Sequence, residues 1–215
     1  MELACGTGRI AEPLLRSGAQ YTGMDIEERF LRSARKKLSK YKGHFSFHYG
    51  DMRSFNFKTN YDLIFIGFNS FLHLLTDEDV LDFFQCVKNH MHAKTRFIID
   101  IYIPDPLFLY RPNNMRFPVL EYVDSKTKQN IYVEETNQYN RKTEINKITW
   151  YFSSKGKKDF DIRSFSVRMY FPSKMHQLLT EAGFTILHQW GDYYQTNMNA
   201  GSSLQIYDTI VKNLP

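Results

Sequence analysis

Short apolar runs alternate with amphipathic stretches along the first half of the chain. This alternation is typical of a parallel β-sheet whose strands are connected by helices that pack on its faces. It predicts strands at 20–25, 44–49, 61–68 and 95–103, and a further strand that ends at Ala4. It also predicts helices at 9–17, 28–41 and 77–92. We therefore expect an α/β fold with a doubly wound, mostly parallel sheet.

The pattern changes after Pro104, where apolar residues begin to recur with a period of two. This period places alternate side chains on one face of a strand, and it predicts antiparallel hairpins. Their turns are predicted near 125–128, 140–142 and 154–158. A helix at 173–182 and two closing strands at 184–191 and 203–212, with an antiparallel C-terminal strand, complete the pattern. We expect one α/β domain, 1–104 and 171–215, interrupted by an antiparallel β-sheet at 105–170.

The composition excludes several classes of protein. Of the 215 residues, 42% are hydrophobic and 24% are charged, which excludes disordered, collagen-like and coiled-coil chains. No apolar run approaches the roughly eighteen residues of a membrane span. The two cysteines and the lack of a secretory signal pattern favour a cytoplasmic protein. The net charge of +5 is a mild excess that does not by itself indicate a nucleic-acid partner.

The clearest chemical pattern lies between the first predicted strand and the first helix, where residues 2–9 read Glu-Leu-Ala-Cys-Gly-Thr-Gly-Arg. Glycines at 6 and 8 let the backbone turn tightly and approach a ligand closely. Asp25 and Asp51 come at the ends of the second and third strands, and the carboxyl ends of parallel strands meet at one edge of a sheet. A carboxylate there can bind the hydroxyls of a ribose. The three strand ends therefore predict a site for an adenosine-containing ligand.

Two other interpretations of this site remain open. Residues 6–11 also fit the loose dinucleotide fingerprint. Glu2 argues against NAD because a carboxylate repels a pyrophosphate and attracts an ammonium group, and the antiparallel C-terminal strands depart from a dehydrogenase sheet. The second alternative is structural, since Asp25 and Asp51 could each cap a helix or a turn.

In their order and spacing, these segments resemble the motifs of the class I S-adenosylmethionine (SAM)-dependent methyltransferases, which have a Rossmann-like fold. The four motifs correspond to 2–8, 23–26, 50–52 and 61–70, and the end of the family's domain corresponds to 168–170, 178–184 and 191–192. The resemblance covers the chain except roughly 105–167. Such enzymes usually carry helices before the first strand, so we expect the N-terminal part to be truncated here and the activity of this chain to be reduced.

The resemblance implies SAM as the cofactor and assigns residues to it. Asp25 would bind the ribose, and Asp51 would bind the adenine amino group. The other implied residues are Glu2, Ala4, Cys5, Gly6, Thr7 and Gly8 at the methionine part, Ile26 and Met52 on the adenine faces, and Phe68 and Ser70 beside the sulfonium. The alternative for Ile26 and Met52 is a place in the core.

The insertion resembles the extra antiparallel sheet of small-molecule N- and O-methyltransferases, where that sheet covers the acceptor, so we expect a lid. On a predicted strand at 162–171, alternation puts Arg168 and Tyr170 on the polar face, from which they could address the acceptor. His73 follows the fourth motif and is the best-placed general base, and Tyr102 could line the pocket. The alternative for the first pair is a face that is solvated or packed against another sheet. The alternative for His73 is a structural role at a helix start or in the core.

These features together predict an enzyme that transfers a methyl group from SAM to an N or O atom of a small molecule, as a monomer or homodimer. We expect no metal, because the histidines lack ligand spacing, and no membrane partner. Lysines and arginines at the hairpin tips would suit RNA. The fourth motif, however, lacks the Asn/Asp-Pro-Pro-aromatic signature of base-modifying enzymes, so we expect no nucleic-acid partner. Alternatives are an RNA or protein methyltransferase and a non-catalytic binding module.

Overall fold

A computed structural model describes residues 1–211 of the chain, which form two compact units. The first unit comprises Met1–Phe71, Thr76–Ile103 and the chain from Pro172 onward, and the second comprises Leu72–Leu75 and Pro104–Phe171. None of the described helices is long and apolar enough to cross a membrane.

The elements are numbered in chain order. The helices are α1 (Ala11–Arg16), α2 (Glu28–Lys37), α3 (Asp77–Lys88), α4 (Pro106–Leu109) and α5 (Pro172–Glu181). The strands are β1 (Glu2–Leu3), β2 (Tyr21–Asp25), β3 (Phe45–Tyr49), β4 (Tyr61–Ile66), β5 (Met91–Tyr102), β6 (Phe117–Val123), β7 (Asn130–Asn140), β8 (Ile145–Ser154), β9 (Lys157–Arg168), β10 (Phe184–Trp190) and β11 (Leu204–Val211).

The first unit is built on a seven-stranded sheet in the order β10-β11-β5-β4-β1-β2-β3. Strands β3, β2, β1, β4 and β5 pair in parallel, while β11 is antiparallel to both β5 and β10. The predicted fold class is therefore confirmed. The strand order reverses between β1 and β4, and ligands of doubly wound sheets bind outside the carboxyl ends of the strands at such a point.

Helix α3 shows how the sequence pattern produces the core of this unit. Its N-terminus is closed by a capping box, in which the Thr76 side chain accepts from the Asp79 amide and the Asp79 carboxylate accepts from the Thr76 amide. Helix α3 buries an apolar stripe of Val80, Phe83, Phe84 and Val87, and its two phenylalanines pack against Phe97 of β5. Each such phenylalanine contributes about 1.5–3 kcal/mol by leaving water, so this stripe fixes the helix on the sheet.

The end of α3 differs from the prediction. The helix was predicted to continue to residue 92, but it ends at Lys88, and β5 begins at Met91. His90 lies fully buried at this junction, where its Nε2 accepts from the Phe57 amide at 2.7 Å and its Nδ1 lies 2.7 Å from the Cys86 carbonyl oxygen. The accepting Nε2 makes Nδ1 the donor, so the imidazole closes the last turn of the helix.

The second closing strand agrees with the prediction as far as it is described. β11 runs over Leu204–Val211 within the predicted range of 203–212. Lys212, the last residue of that range, lies outside the described residues.

The second unit holds a four-stranded antiparallel sheet in the order β6-β7-β8-β9, so the predicted hairpins are confirmed. Two polar side chains of β7, Glu135 and Asn137, are buried in this unit. The Arg111 guanidinium forms an ion pair with Glu135, and its Nε donates to Asn137 at 2.6 Å. The indole of Trp150 donates to the other Glu135 oxygen at 3.0 Å. This network links the end of α4 to β7 and β8.

Removal of Arg111 tests how much this network stabilises the second unit. The side chains of Arg111 and Glu135 are only 15% and 11% exposed, so Arg111→Ala leaves a buried carboxylate without its cation. We expect the free energy of unfolding to fall by about 3–5 kcal/mol. The measurement is urea denaturation followed by tryptophan fluorescence.

The matched control for this substitution is Arg29→Ala, which removes an exposed ion pair with Glu27. Exposed pairs contribute about 1 kcal/mol or less. A loss in Arg111→Ala no larger than in Arg29→Ala would contradict the stabilising role of the network.

Candidate functional site

The turn after β1 has the backbone conformation that its glycines were predicted to provide. Gly6 and Gly8 have φ angles of +55° and +69°, in the left-handed region that glycine adopts without strain. Ala4 also has a positive φ, +55°, which costs a residue with a side chain about 1–3 kcal/mol. The Gly8 amide donates to the Cys5 carbonyl at 3.0 Å. The turn is thus strained at one residue and closed by its own backbone.

The two glycines serve different purposes. A methyl group added at Gly8 would lie 3.1 Å from a Leu38 methyl and 3.3 Å from the Ala34 side chain, so Gly8 allows α2 and the residues after it to pack closely. A methyl group added at Gly6 would meet no atom within 4 Å. The backbone at Gly6 therefore faces open space in the first unit, where a ligand can approach it.

Asp25 joins this turn to the end of β2. One carboxylate oxygen accepts from the Gly6 amide at 2.7 Å, and the other accepts from the Glu27 amide at 2.9 Å. The turn-capping alternative for Asp25 is therefore realised. It does not exclude a ligand, because each carboxylate oxygen can accept more than one hydrogen bond. Asp25 is 8% exposed and lies at the predicted edge of the sheet.

Glu2 is buried beside the turn, with 5% of its surface exposed. Burial raises the pKa of its carboxyl from 4.5 to about 7, although the hydrogen bond from the Tyr21 hydroxyl favours the ionised form. Burial also raises the pKa of Tyr21, which therefore remains a donor. Glu2 is thus a carboxyl group close to its titration point at neutral pH, and a bound cation would favour its ionised form.

Asp51 lies after β3 in a network of charged side chains. It accepts from the amide and the guanidinium of Arg53, whose Nη1 also donates to Asp79 at 2.6 Å. These hydrogen bonds lower the pKa of Asp51 below its usual range. Met52 is half-buried, whereas Ile26 is 63% exposed. The core alternative for Ile26 is therefore wrong, and its side chain is free to pack against a ligand.

The fourth motif forms a turn after β4. Phe68 and Asn69 have φ angles of +52° and +65°, and Ser70 closes the turn by donating its amide to the Gly67 carbonyl at 3.2 Å. The ring of Phe68 is half exposed, and the Arg9 guanidinium lies 3.8 Å from its centre. Both Phe68 and Ser70 thus lie at the carboxyl edge of the first unit.

Tyr102 lies at the same edge, at the end of β5, and its amide donates to the Asn69 side chain at 2.8 Å. The other three catalytic candidates lie in the second unit. His73 is exposed at one side and its ring lies 6.5 Å from that of Phe165. Partial desolvation lowers the pKa of His73, so the imidazole is neutral at pH 7 and able to accept a proton.

The predicted polar face for Arg168 and Tyr170 is wrong. Strand β9 ends at Arg168, so Tyr170 lies outside the alternation on which the prediction rested. Tyr170 is fully buried and its hydroxyl donates to the Leu74 carbonyl. Arg168 is also buried and donates to Glu144 through Nε and Nη2. Their side chains support the second unit.

Asp100 and Tyr193 were not among the site residues predicted from the sequence. The Tyr193 hydroxyl donates to the Asp100 carboxylate at 2.9 Å, next to the Phe68 turn. A signal for Asp100 was present, since it is the one charged residue in the apolar run 97–103. Over the described residues, no group of three or more His, Cys, Asp and Glu side chains could hold a metal ion.

Comparison with known proteins adds a sequence match over the N-terminal part. Residues 1–94 match a family model described as a methyltransferase domain. Over 103 residues the chain is 31% identical to YqeM, an inferred methyltransferase of Bacillus subtilis (strain 168). This match covers 47% of the chain and 41% of YqeM, so it spans about two fifths of that relative's length.

Solved structures match nearly the whole chain. An S-adenosylmethionine-dependent methyltransferase from Clostridium acetobutylicum ATCC 824 has 20% identity and a TM-score of 0.79, over 99% of this chain and 83% of that one. The CcbJ methyltransferase from Streptomyces caelestis has 18% identity and a TM-score of 0.82, over 99% and 82%. The chain has the class I methyltransferase fold. SAM-bound CalS10, an amino pentose methyltransferase from Micromonospora echinaspora, has 16% identity and a TM-score of 0.63, over 96% and 81%.

The residues at the carboxyl edge fit the cofactor of this methyltransferase fold. The open space at Gly6 accommodates a ligand next to the turn, and Glu2 provides a negative charge for an ammonium group. Asp25 is the last residue of β2 and has acceptor capacity left for a ribose. The exposed side chain of Ile26 offers an apolar surface for a flat base.

The raised pKa of Glu2 gives a prediction for stability. An unfolded glutamate ionises near 4.5 and the folded one near 7, so the folded state binds more protons between these values and loses stability as the pH rises through them. Relative to Glu2→Gln, which keeps an acceptor for Tyr21, the protein should lose up to about 3 kcal/mol between pH 4.5 and 7. Denaturant titrations at both pH values measure this loss. An equal pH dependence in the two proteins would show that Glu2 ionises normally.

Proposed function

We propose that the chain transfers a methyl group from SAM to an N or O atom of a small molecule. The observation that carries this proposal is the joint arrangement of Glu2, the Gly6 turn and Asp25 at consecutive strand ends beside the point where the strand order reverses. The methyltransferase fold and the family match over residues 1–94 support it. Both cysteines of the described chain are free thiols, which suits a reducing, cytoplasmic setting.

In this proposal the residues of the first unit bind and orient the cofactor. Glu2 holds the ammonium group, the backbone of the turn from Ala4 to Gly8 follows the methionine part, and Asp25 accepts hydrogen bonds from the ribose. Ile26 and Met52 pack on the adenine, with Asp51 at its amino group. The bound cofactor supplies a methyl group activated by a sulfonium. Phe68 and Ser70 exclude water next to that group, which strengthens electrostatic interactions there.

The acceptor needs little covalent help from the protein, because positioning supplies much of the rate enhancement. A hydroxyl or ammonium acceptor must lose a proton, and we propose His73 as the group that accepts it and Tyr102 as a residue that lines the acceptor pocket. Arg168 and Tyr170 are buried and bonded to Glu144 and the Leu74 carbonyl, so we assign them a supporting role in the second unit and no contact with the acceptor. CalS10, which acts on an amino pentose, supports a small-molecule acceptor.

Cofactor binding is tested by calorimetry with S-adenosylhomocysteine, with NAD as the comparison ligand. We expect S-adenosylhomocysteine to bind and NAD not to bind.

The variant Asp25→Asn removes the charge that strengthens hydrogen bonds to the ribose hydroxyls. The free energy of binding S-adenosylhomocysteine should therefore weaken by about 1.5–3 kcal/mol. Asp62→Asn, at an exposed carboxylate on β4, is the control and should bind like the unchanged protein. Tight binding of NAD alone would refute the proposal.

The class of acceptor is tested by incubating the protein with methyl-labelled SAM and a fractionated cell extract. Label should enter the small-molecule fraction and remain absent from the RNA and protein fractions. Label that enters RNA, and that ribonuclease releases, would favour an RNA methyltransferase instead. In that case the lysines and arginines at the hairpin tips would be the candidate contacts to the RNA phosphates.

A further inference from the structure

Asp100 occupies a position at the carboxyl edge that the cofactor assignment does not use. It lies near the end of β5, and its Oδ2 accepts from the Phe68 amide at 3.2 Å and from the Tyr193 hydroxyl at 2.9 Å. These residues all belong to the first unit. Asp100 therefore connects the turn of the fourth motif to the loop between β10 and β11.

The backbone around Asp100 is held in a strained conformation. Phe68 and Asn69 both have positive φ angles, and such residues cost about 1–3 kcal/mol each. Three hydrogen bonds from the end of β5 hold them: Phe68 to the Asp100 carboxylate, Asn69 to the Asp100 carbonyl at 3.3 Å, and Tyr102 to the Asn69 side chain. Strain maintained by surrounding bonds is typical of functional sites, where it fixes a side chain in place.

Asp100 has no ion-pair partner within the part of the chain that the structure describes, and both of its side-chain hydrogen bonds go to Oδ2. Burial and the bond to Asp100 raise the pKa of Tyr193 to about 12, so the phenol stays neutral and remains a donor. The free Oδ1 can thus accept a hydrogen bond from a further N–H group.

Two exposed aromatic residues contact this carboxylate, Phe68 through its amide and Tyr193 through its hydroxyl. Phe68 is 49% exposed and Tyr193 is 63% exposed, so both residues are accessible from solvent. The ring of Phe68 already carries the Arg9 guanidinium at 3.8 Å, which shows that a cation is stabilised at this face. A carboxylate with an available oxygen, bonded to two exposed aromatic residues, has the composition of a site for a nitrogen that carries or develops positive charge.

We propose that Asp100, supported by Tyr193, holds the nitrogen of an acceptor amine at the methyl-transfer position. The inference rests on the proposed function and narrows its acceptor from N or O to an amine. The neutral nitrogen uses its lone pair to form the N–C bond while the S–C bond breaks and its electrons remain on sulfur. The positive charge passes from sulfur to nitrogen, and the excess proton then leaves to solvent. Asp100 stabilises the charge that develops on nitrogen.

The test uses two cofactor analogues and needs no acceptor. Sinefungin has an amine-bearing carbon in place of the methyl sulfonium, whereas S-adenosylhomocysteine has no group at that position. The amine of sinefungin occupies the place of the transferred methyl group, where it can donate to a carboxylate that faces the methyl-transfer position. We expect the unchanged protein to bind sinefungin at least about tenfold more tightly than S-adenosylhomocysteine, because the amine adds a charged hydrogen bond. Calorimetry at pH 7 gives both affinities.

The decisive variant is Asp100→Asn, in which the amide oxygen still accepts from Phe68 and Tyr193. Sinefungin affinity should fall by about tenfold to a hundredfold while that of S-adenosylhomocysteine changes less than about threefold. Tyr193→Phe keeps the Phe68 bond and should reduce the preference for sinefungin by a smaller factor. It serves as the second variant if Asp100→Asn lowers the melting temperature. Asp62→Asn, at the exposed carboxylate paired with His92, is the control.

Three results would overturn the inference. The first is an unchanged preference for sinefungin in Asp100→Asn and Tyr193→Phe. The second is an equal loss of both analogues in a variant that remains folded, which would make Asp100 part of the cofactor turn only. The third is no binding of either analogue by the unchanged protein, which overturns the proposed function as well and is thereby distinguishable from the other two.

Discussion

The carboxylate of Asp25 fixes the geometry on which the cofactor edge depends. It accepts from the amides of Gly6 and Glu27, and so connects the turn after β1 to the start of α2. Glycine at position 6 makes the turn possible but does not determine where its amide points, because glycine has wide conformational freedom. The bond to Asp25 restricts that freedom before any ligand binds. The turn is therefore preorganised by the same residue that is proposed to bind the ribose.

Carboxylates recur at the ends of the parallel strands and have related roles there. Asp25 ends β2, Asp51 comes shortly after β3 and Asp100 lies near the end of β5, and each accepts a hydrogen bond from a nearby backbone amide. Their surroundings differ. The guanidinium of Arg53 neutralises Asp51, whereas Asp100 contacts a neutral phenol. One edge of the sheet thus offers carboxylates that differ in their bonding partners, which suits a ligand that carries more than one polar part.

The second unit depends on a different kind of interaction. Its sheet encloses Glu135, whose two oxygens are taken by Arg111 and Trp150, and Asn137, which bonds to the Leu109 carbonyl at 3.2 Å. Buried polar groups add little net stability compared with apolar packing, but they favour one arrangement because any other leaves them unpaired. Such a network suits a sheet whose register has to be maintained, since a slip by one residue would move Glu135 to the opposite face.

The sequence by itself determined the fold class, the hairpins and the position of the glycine turn, since these depend on local periodicity and on local backbone freedom. It also indicated Asp25, because the order of strands and acids along the chain is a local pattern. Tertiary structure decided which groups meet. Tyr193 and Asp100 are 93 positions apart, and His90 ends α3 by binding Phe57, 33 positions away. Alternation likewise placed Tyr170 on a polar face, whereas β9 ends before it and its hydroxyl bonds to Leu74, 96 positions away. Periodicity records only which face of an element is apolar, whereas a hydrogen-bond partner is chosen by the packing of elements distant in sequence.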